Sequence, residues 1–171
     1  EASMQNKWEI GPFVKQDAEN PILLPNPSLV FVDPVSGEET AFEGRNVLNP
    51  SAVVKDGKVH LLYRAQDQKM TSRIGLATSE DGIHFIKEPA PIFFPDNDAM
   101  LVYENNGGVE DPRVVQGPEG NYWLTYTAYD GKTARLCIAS SPDLRQWTKH
   151  GPVLNDPKYI DLWSKSGAIV V

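Results

Sequence analysis

Asn49-Pro-Ser-Ala-Val-Val54, followed by Val59-His-Leu-Leu-Tyr-Arg-Ala65 and Arg73-Ile-Gly-Leu-Ala-Thr-Ser79, decides the fold, because the chain writes it a second time. The second copy runs Asp111-Pro-Arg-Val-Val115, then NYWLTYTA (121–128) and RLCIASS (135–141). Pro50 matches Pro112, Arg73 matches Arg135, Ile74 matches Leu136 and Phe85 matches Trp147, each 62 positions apart. Several short β-like runs inside one long period are the mark of a β-propeller blade. At the head of the two copies stand Asn49 and Asp111. Equivalent positions of successive blades converge on a propeller's axis, so this register predicts an amide and a carboxyl facing one pocket from the starts of innermost strands.

The runs around these motifs are of strand length and bounded by Gly, Pro, Asn and Asp. Lys55-Asp-Gly-Lys58 and Pro118-Glu-Gly-Asn121 read as matching hairpin turns. Phe85 and Trp147 follow the next turns and read as packing between blades. No stretch carries a helical period. The blade repeats span about 49–95 and 111–154, and SGAIVV from Ser166 reads as the opening of a third. Residues 8–46 read as an irregular lead-in, and 96–110 as an unusually polar inserted loop of the kind that carries function. Residues 1–171 therefore read as the N-terminal portion of a single all-β propeller domain in a longer protein.

Sixteen basic against 23 acidic residues give a net charge of −7 with no basic run, which argues against a nucleic-acid partner. No apolar stretch is long enough for a membrane span. EASMQNKW at the N-terminus lacks a signal pattern, leaving periplasmic and cytoplasmic locations both open. The single cysteine, Cys137, sits in LCIAS and reads as a buried small hydrophobe. His60, His84 and His150 show no ligand spacing, so no metal is expected.

Carboxylate chemistry is what remains. In Gly107-Gly-Val-Glu-Asp-Pro-Arg113 two glycines permit a tight turn, and an acidic pair then enters the inner strand. A carboxyl in a partly dry pocket can hold a proton and act as a general acid. Asp111 is the candidate acid, with Glu110 beside it and Arg113 placed to orient a carboxylate. Asn49 can donate to and accept from sugar hydroxyls. Arg64 stands where the second copy has Thr127, as a ligand clamp would. Tyr129 shares a strand face with Trp123 and is the candidate for a sugar-ring contact. The repeated Arg73 and Arg135 read as structural.

Asn49-Pro-Ser-Ala-Val-Val, Leu62-Tyr-Arg-Ala65, Ile74-Gly-Leu-Ala-Thr-Ser-Glu-Asp-Gly82 and above all Gly108-Val-Glu-Asp-Pro-Arg-Val114 resemble glycoside hydrolase family 130. The resemblance runs from about Asn20 to the end of the chain. It implies a five-bladed β-propeller, of which this chain holds roughly the first half, and an activity on β-mannosides. It implies that Asp111 is the general acid, protonating the leaving oxygen through a sugar hydroxyl. It also implies that Asn49 and Arg64 hold the mannose ring in the −1 subsite.

The family contains hydrolases and phosphorylases. Phosphorolysis, releasing mannose 1-phosphate, needs basic residues for inorganic phosphate, and Tyr159–Val171 offers only Lys165, with Asp161 close in sequence. The expectation is therefore an inverting β-mannosidase without a cofactor acting on an oligosaccharide, with phosphorolysis through Lys165 as the alternative. A non-catalytic sugar-binding propeller would need no acid at Asp111. A furanoside-cleaving propeller would need a carboxylate at the head of the first blade, where Asp17 and Asp33 are the candidates. The sequence sets no oligomeric state.

Overall fold

The computed structural model describes residues 11–171, so EASMQNKW and the first residues of the lead-in lie outside it. A short hairpin comes first: β1 (Val30–Val32) pairs antiparallel with β2 (Glu39–Ala41). Its turn is set by Asp33, whose Oδ1 accepts the backbone N–H groups of Val35 and Ser36 at 2.9 and 3.0 Å. The first repeat unit is the antiparallel meander β3 (Asn46–Lys55), β4 (Lys58–Gln66), β5 (Ser72–Ser79) and β6 (Ile86–Lys87). One helical turn follows, α1 (Leu101–Glu104). The second unit is β7 (Gly108–Gln116), β8 (Tyr122–Tyr129), β9 (Ala134–Ser141) and β10 (Thr148–Pro152).

A single parallel strand pair joins the two units, Ser72 with Gly108, and it links all eight strands into one hydrogen-bonded sheet. Ser72 donates its backbone N–H to Gly107 at 2.9 Å. Gly108 has φ +89°, and a Cβ there would lie 2.1 Å from the Ser72 carbonyl oxygen, so only glycine lets the strands approach. The described residues thus form an all-β fold of two blade-like units and no closed ring.

The repeat is not uniform. Asp56 and Gly57 both have positive φ (52° and 74°), as a two-residue type I′ hairpin requires. The second unit turns over Gly117–Asn121 instead, closed by the Gly117 N–H to Asn121 carbonyl bond at 2.7 Å. The turns therefore occupy matching places without matching in type. The longer turn moves β8 to an offset of 63 from β4, and a shorter β8–β9 connection restores 62 at β9.

A core of Leu62, Ile74, Leu76 and Phe93 from the first unit meets Val109, Leu124, Tyr126, Cys137 and Leu144 from the second, with Trp147 packed against it. A smaller cluster of Phe42, Tyr63, Ala65 and Ala77 joins the first unit to the lead-in, with Phe85 against it. Trp147 thus seals the seam between the two units, and Phe85 the seam between the first unit and the lead-in.

Residues 166–171 pair with no strand among the described residues, and the Gly167 carbonyl accepts Thr125 Oγ1 at 2.6 Å beside β8. The polar stretch 96–110 is not loop throughout: Leu101–Glu104 form α1 and residues 108–110 already belong to β7. Glu104, fully buried, accepts Tyr126 Oη at 2.9 Å and Lys149 Nζ at 2.5 Å. Burial outweighs both partners and pushes the Glu104 carboxyl up to about 7.

Candidate active site

Asn49 and Asp111 are each the fourth residue of their strands, β3 and β7, rather than the first. In β3 the pairing jumps from Leu48–Arg64 to Ser51–Leu62, so Asn49 and Pro50 together oppose Tyr63. In β7 it jumps from Glu110–Thr127 to Arg113–Thr125, so Asp111 and Pro112 oppose Tyr126. Each is a bulge, the device that re-aims a side chain out of a ladder. The first bulge residue is left-handed in both, φ 47° at Asn49 and 51° at Asp111, a conformation that Asn and Asp tolerate better than most residues.

The two bulges meet. Asn49 Nδ2 donates to Asp111 Oδ1 at 2.6 Å, and the Val114 N–H donates to Ser51 Oγ at 3.0 Å just beyond. Arg64 forks across the acidic pair, with Nη1 on Asp111 Oδ1 at 3.2 Å and Nη2 on Glu110 Oε1 at 2.8 Å. Lys165 Nζ lies 3.2 Å from Glu110 Oε2 and 3.8 Å from Asp111 Oδ2. The result is two carboxyls and two cations around one point, with Asp111 Oδ2 engaged by neither Asn49 nor Arg64.

Two sequence expectations change here. The arginine that orients the carboxyls is Arg64; Arg113 turns back to the Pro112 carbonyl at 2.8 Å and makes no ion pair among the described residues. Asp161 does not accompany Lys165 but pairs with Arg135 at 2.7 Å. Arg135 also holds Asp130 at 2.7 Å, and its repeat partner Arg73 holds Asp67 at 2.8 Å together with Asp33. Asp33, a candidate of the furanosidase reading, is thus a buried brace, its carboxyl held below the usual range by Arg73 and the Ser36 and Val35 N–H groups against the cost of burial. Tyr129 is half-buried, its ring 6.0 Å from that of the exposed Trp163.

Sequence reading missed a second repeated constellation. Glu43, Tyr63 and Lys87 recur as Glu104, Tyr126 and Lys149, at offsets of 61, 63 and 62. Both glutamates are fully buried and both are paired with the lysine, Glu43 to Lys87 at 2.7 Å. A single fixed offset could not find them. Among the described residues no group of three or more His, Cys, Asp or Glu is placed to hold a metal. A cavity of about 680 Å³ lies elsewhere, lined by Glu88, Phe93, Arg145 and Trp147 and by none of the residues around Asp111. No described helix is long and apolar enough to cross a membrane.

A family model described as beta-1,4-mannooligosaccharide phosphorylase matches residues 15–171, and the chain belongs to glycoside hydrolase family 130. It is 31% identical over 154 residues to a 1,2-beta-oligomannan phosphorylase of Thermoanaerobacter sp. (strain X514), covering 84% of this chain and 46% of that one. It is 31% identical over 136 residues to a beta-1,2-mannobiose phosphorylase of the same organism, covering 70% of this chain and 43% of the other. The chain spans less than half the length of these relatives. A solved structure described as "The GH130 family of mannoside phosphorylases contains glycoside hydrolases that target beta-1,2 mannosidic linkages in Candida mannan" superposes with a TM-score of 0.89 at 41% identity. That match covers 95% of this chain and 48% of the other.

Proposed function

We infer that this chain is the N-terminal part of a five-bladed propeller enzyme that cleaves β-1,2-mannosidic bonds in oligomannosides, with Asp111 as general acid. The observation that carries this is the meeting of the two bulges, which puts Asn49, Arg64 and Asp111 within one hydrogen-bonding network. Asp111 Oδ1 is occupied by Asn49 and Arg64, which leaves Oδ2, with Lys165 Nζ 3.8 Å away, as the oxygen assigned to deliver the proton. It passes from there to the leaving oxygen, directly or through a sugar hydroxyl, as the bond to the anomeric carbon breaks. Asn49, Arg64 and Glu110 face the sugar hydroxyls. The nucleophile attacks the anomeric carbon from the face opposite Asp111, inverting its configuration.

The phosphorylase names of the two Thermoanaerobacter relatives support inorganic phosphate as the nucleophile, giving α-mannose 1-phosphate and a shortened oligosaccharide. Lys165 is then the first cation of the phosphate site. A second reading, attack by water, has its own support. Lys165 is already engaged by Glu110 and Asp111, which offsets its charge, and the 41%-identical structure comes from work describing hydrolases. The complete enzyme is incubated with β-1,2-mannobiose with and without inorganic phosphate. Phosphate-dependent mannose 1-phosphate is the expected product. Free mannose at a rate indifferent to phosphate selects water, and cleavage in neither condition leaves a sugar-binding propeller.

A further inference from the structure

Behind Arg64 lies a polar relay that the reaction scheme does not use. Arg64 Nε donates to Ser72 Oγ at 2.9 Å, and Gln66 Nε2 approaches the same oxygen at 3.4 Å. Asn46 Nδ2 in turn donates to Gln66 Oε1 at 3.0 Å. Ser72 and Gln66 are buried and lie opposite each other in the β4–β5 ladder. The repeat supplies an internal comparison. In the second unit the positions of Arg64, Gln66, Ser72 and Asn46 are held by Thr127, Tyr129, Ala134 and Gly108, with Tyr129 opposite Ala134 as Gln66 is opposite Ser72. The arginine and its serine are lost together, and where they are lost Thr127 Oγ1 is buried with no partner among the described residues. A serine kept for the strand or the seam would not need to follow the arginine.

We propose that Ser72 is a positioning residue that fixes the guanidinium of Arg64 for its contacts with Asp111 and the sugar. An arginine side chain carries several rotatable bonds, and a fork held at two corners still pivots unless Nε is also held. Ser72 is suited to this because its backbone is the single pair that joins the two units. One residue therefore sets both the spacing of the seam and the plane of the guanidinium that spans it. Gln66, anchored by Asn46, occupies a second lone pair of the hydroxyl and stops it from rotating away.

The proposal rests on the reading that Arg64 acts on the sugar, and a double-mutant cycle separates the two. The full-length enzyme and its Ser72→Ala, Arg64→Ala and doubly substituted variants are assayed on β-1,2-mannobiose, with melting temperature recorded for each. Ser72→Ala is expected to lower kcat/KM about 10-fold, a loss of one hydrogen bond to a charged group. In the Arg64→Ala background the same change is expected to have no further effect. Equal losses from Ser72→Ala in both backgrounds would overturn the positioning role, as would a fall in melting temperature with unaltered kinetics. If Arg64→Ala itself leaves kinetics unchanged, the reading of Arg64 fails instead. Should Ser72→Ala not fold, Gln66→Leu tests the same relay from one step further back, with a smaller loss that also vanishes without Arg64.

Discussion

Asp111 presents two oxygens with different surroundings, and that difference makes its role testable at the scale of one atom. Oδ1 accepts from Asn49 and Arg64, and an asparagine at this position can still accept both with its own carbonyl oxygen. What asparagine cannot do is deliver a proton. Asp111→Asn in the full-length enzyme is therefore expected to cut turnover on an unactivated mannoside by ~10²–10⁴-fold while leaving oligomannoside binding within a few-fold. Near-normal turnover of this variant would remove Asp111 from the acid role. Loss of binding alongside turnover would make it a ligand of the sugar rather than its acid.

The bulges and the buried turn α1 are where local sequence is converted into geometry. A strand of regular pleat would point residues 49 and 111 into one face of their ladders, whereas the extra residue turns them towards each other. α1 does the converse and brings a charge inward. Glu104 meets Lys149 and Tyr126, with Asp98 near Lys149 at 3.1 Å, and it stays protonated up to about 7 because burial dominates. Its folded-state value is raised above the ordinary glutamate value of 4.5, so between about 4.5 and 7 the folded chain holds a proton that the unfolded chain has lost. Stability from this group is thus full below the window and declines as pH rises through it, by at most about 1.4 kcal/mol per pH unit. Urea unfolding of the protein and of Glu104→Gln at pH 5, 6 and 7 should show the steeper decline only in the unsubstituted protein. Parallel slopes would mean that Glu104 does not titrate there.

For the whole molecule, the decisive feature is that the two units share one core although they share a single backbone pair. Leu124 and Tyr126 of β8 pack in the same cluster as Leu62 and Leu76 of the first unit. Neither unit can expose its face of that seam without exposing the other's. Leu124→Ala is expected to cost roughly 2–5 kcal/mol, as for other fully buried leucines, and to shift one cooperative transition seen alike by tryptophan fluorescence and far-UV circular dichroism. Two separated transitions would show that the units unfold independently.

Asn49-Pro50 and Asp111-Pro112, the hairpin glycines and the strand-length runs around LLYRA and TYTA were enough to place the strands, because turn chemistry and strand preference are written residue by residue. The pairing of Asn49 with Asp111 was legible only through the repeat, which turns one-dimensional spacing into a shared radius. Other features were beyond that reach. Arg64 rather than Arg113 spans the carboxyls because β4 crosses beside β7, a contact between residues 47 apart in sequence that no local pattern encodes. Glu104 read as part of a polar inserted loop, since its burial depends on Lys149 and Tyr126 arriving from two other strands. Sequence determines what each strand prefers to bury and where it must turn. Only the tertiary structure decides which charge ends beside which, because Coulomb and hydrogen-bond energies depend on distances that are set when the seam between the units closes.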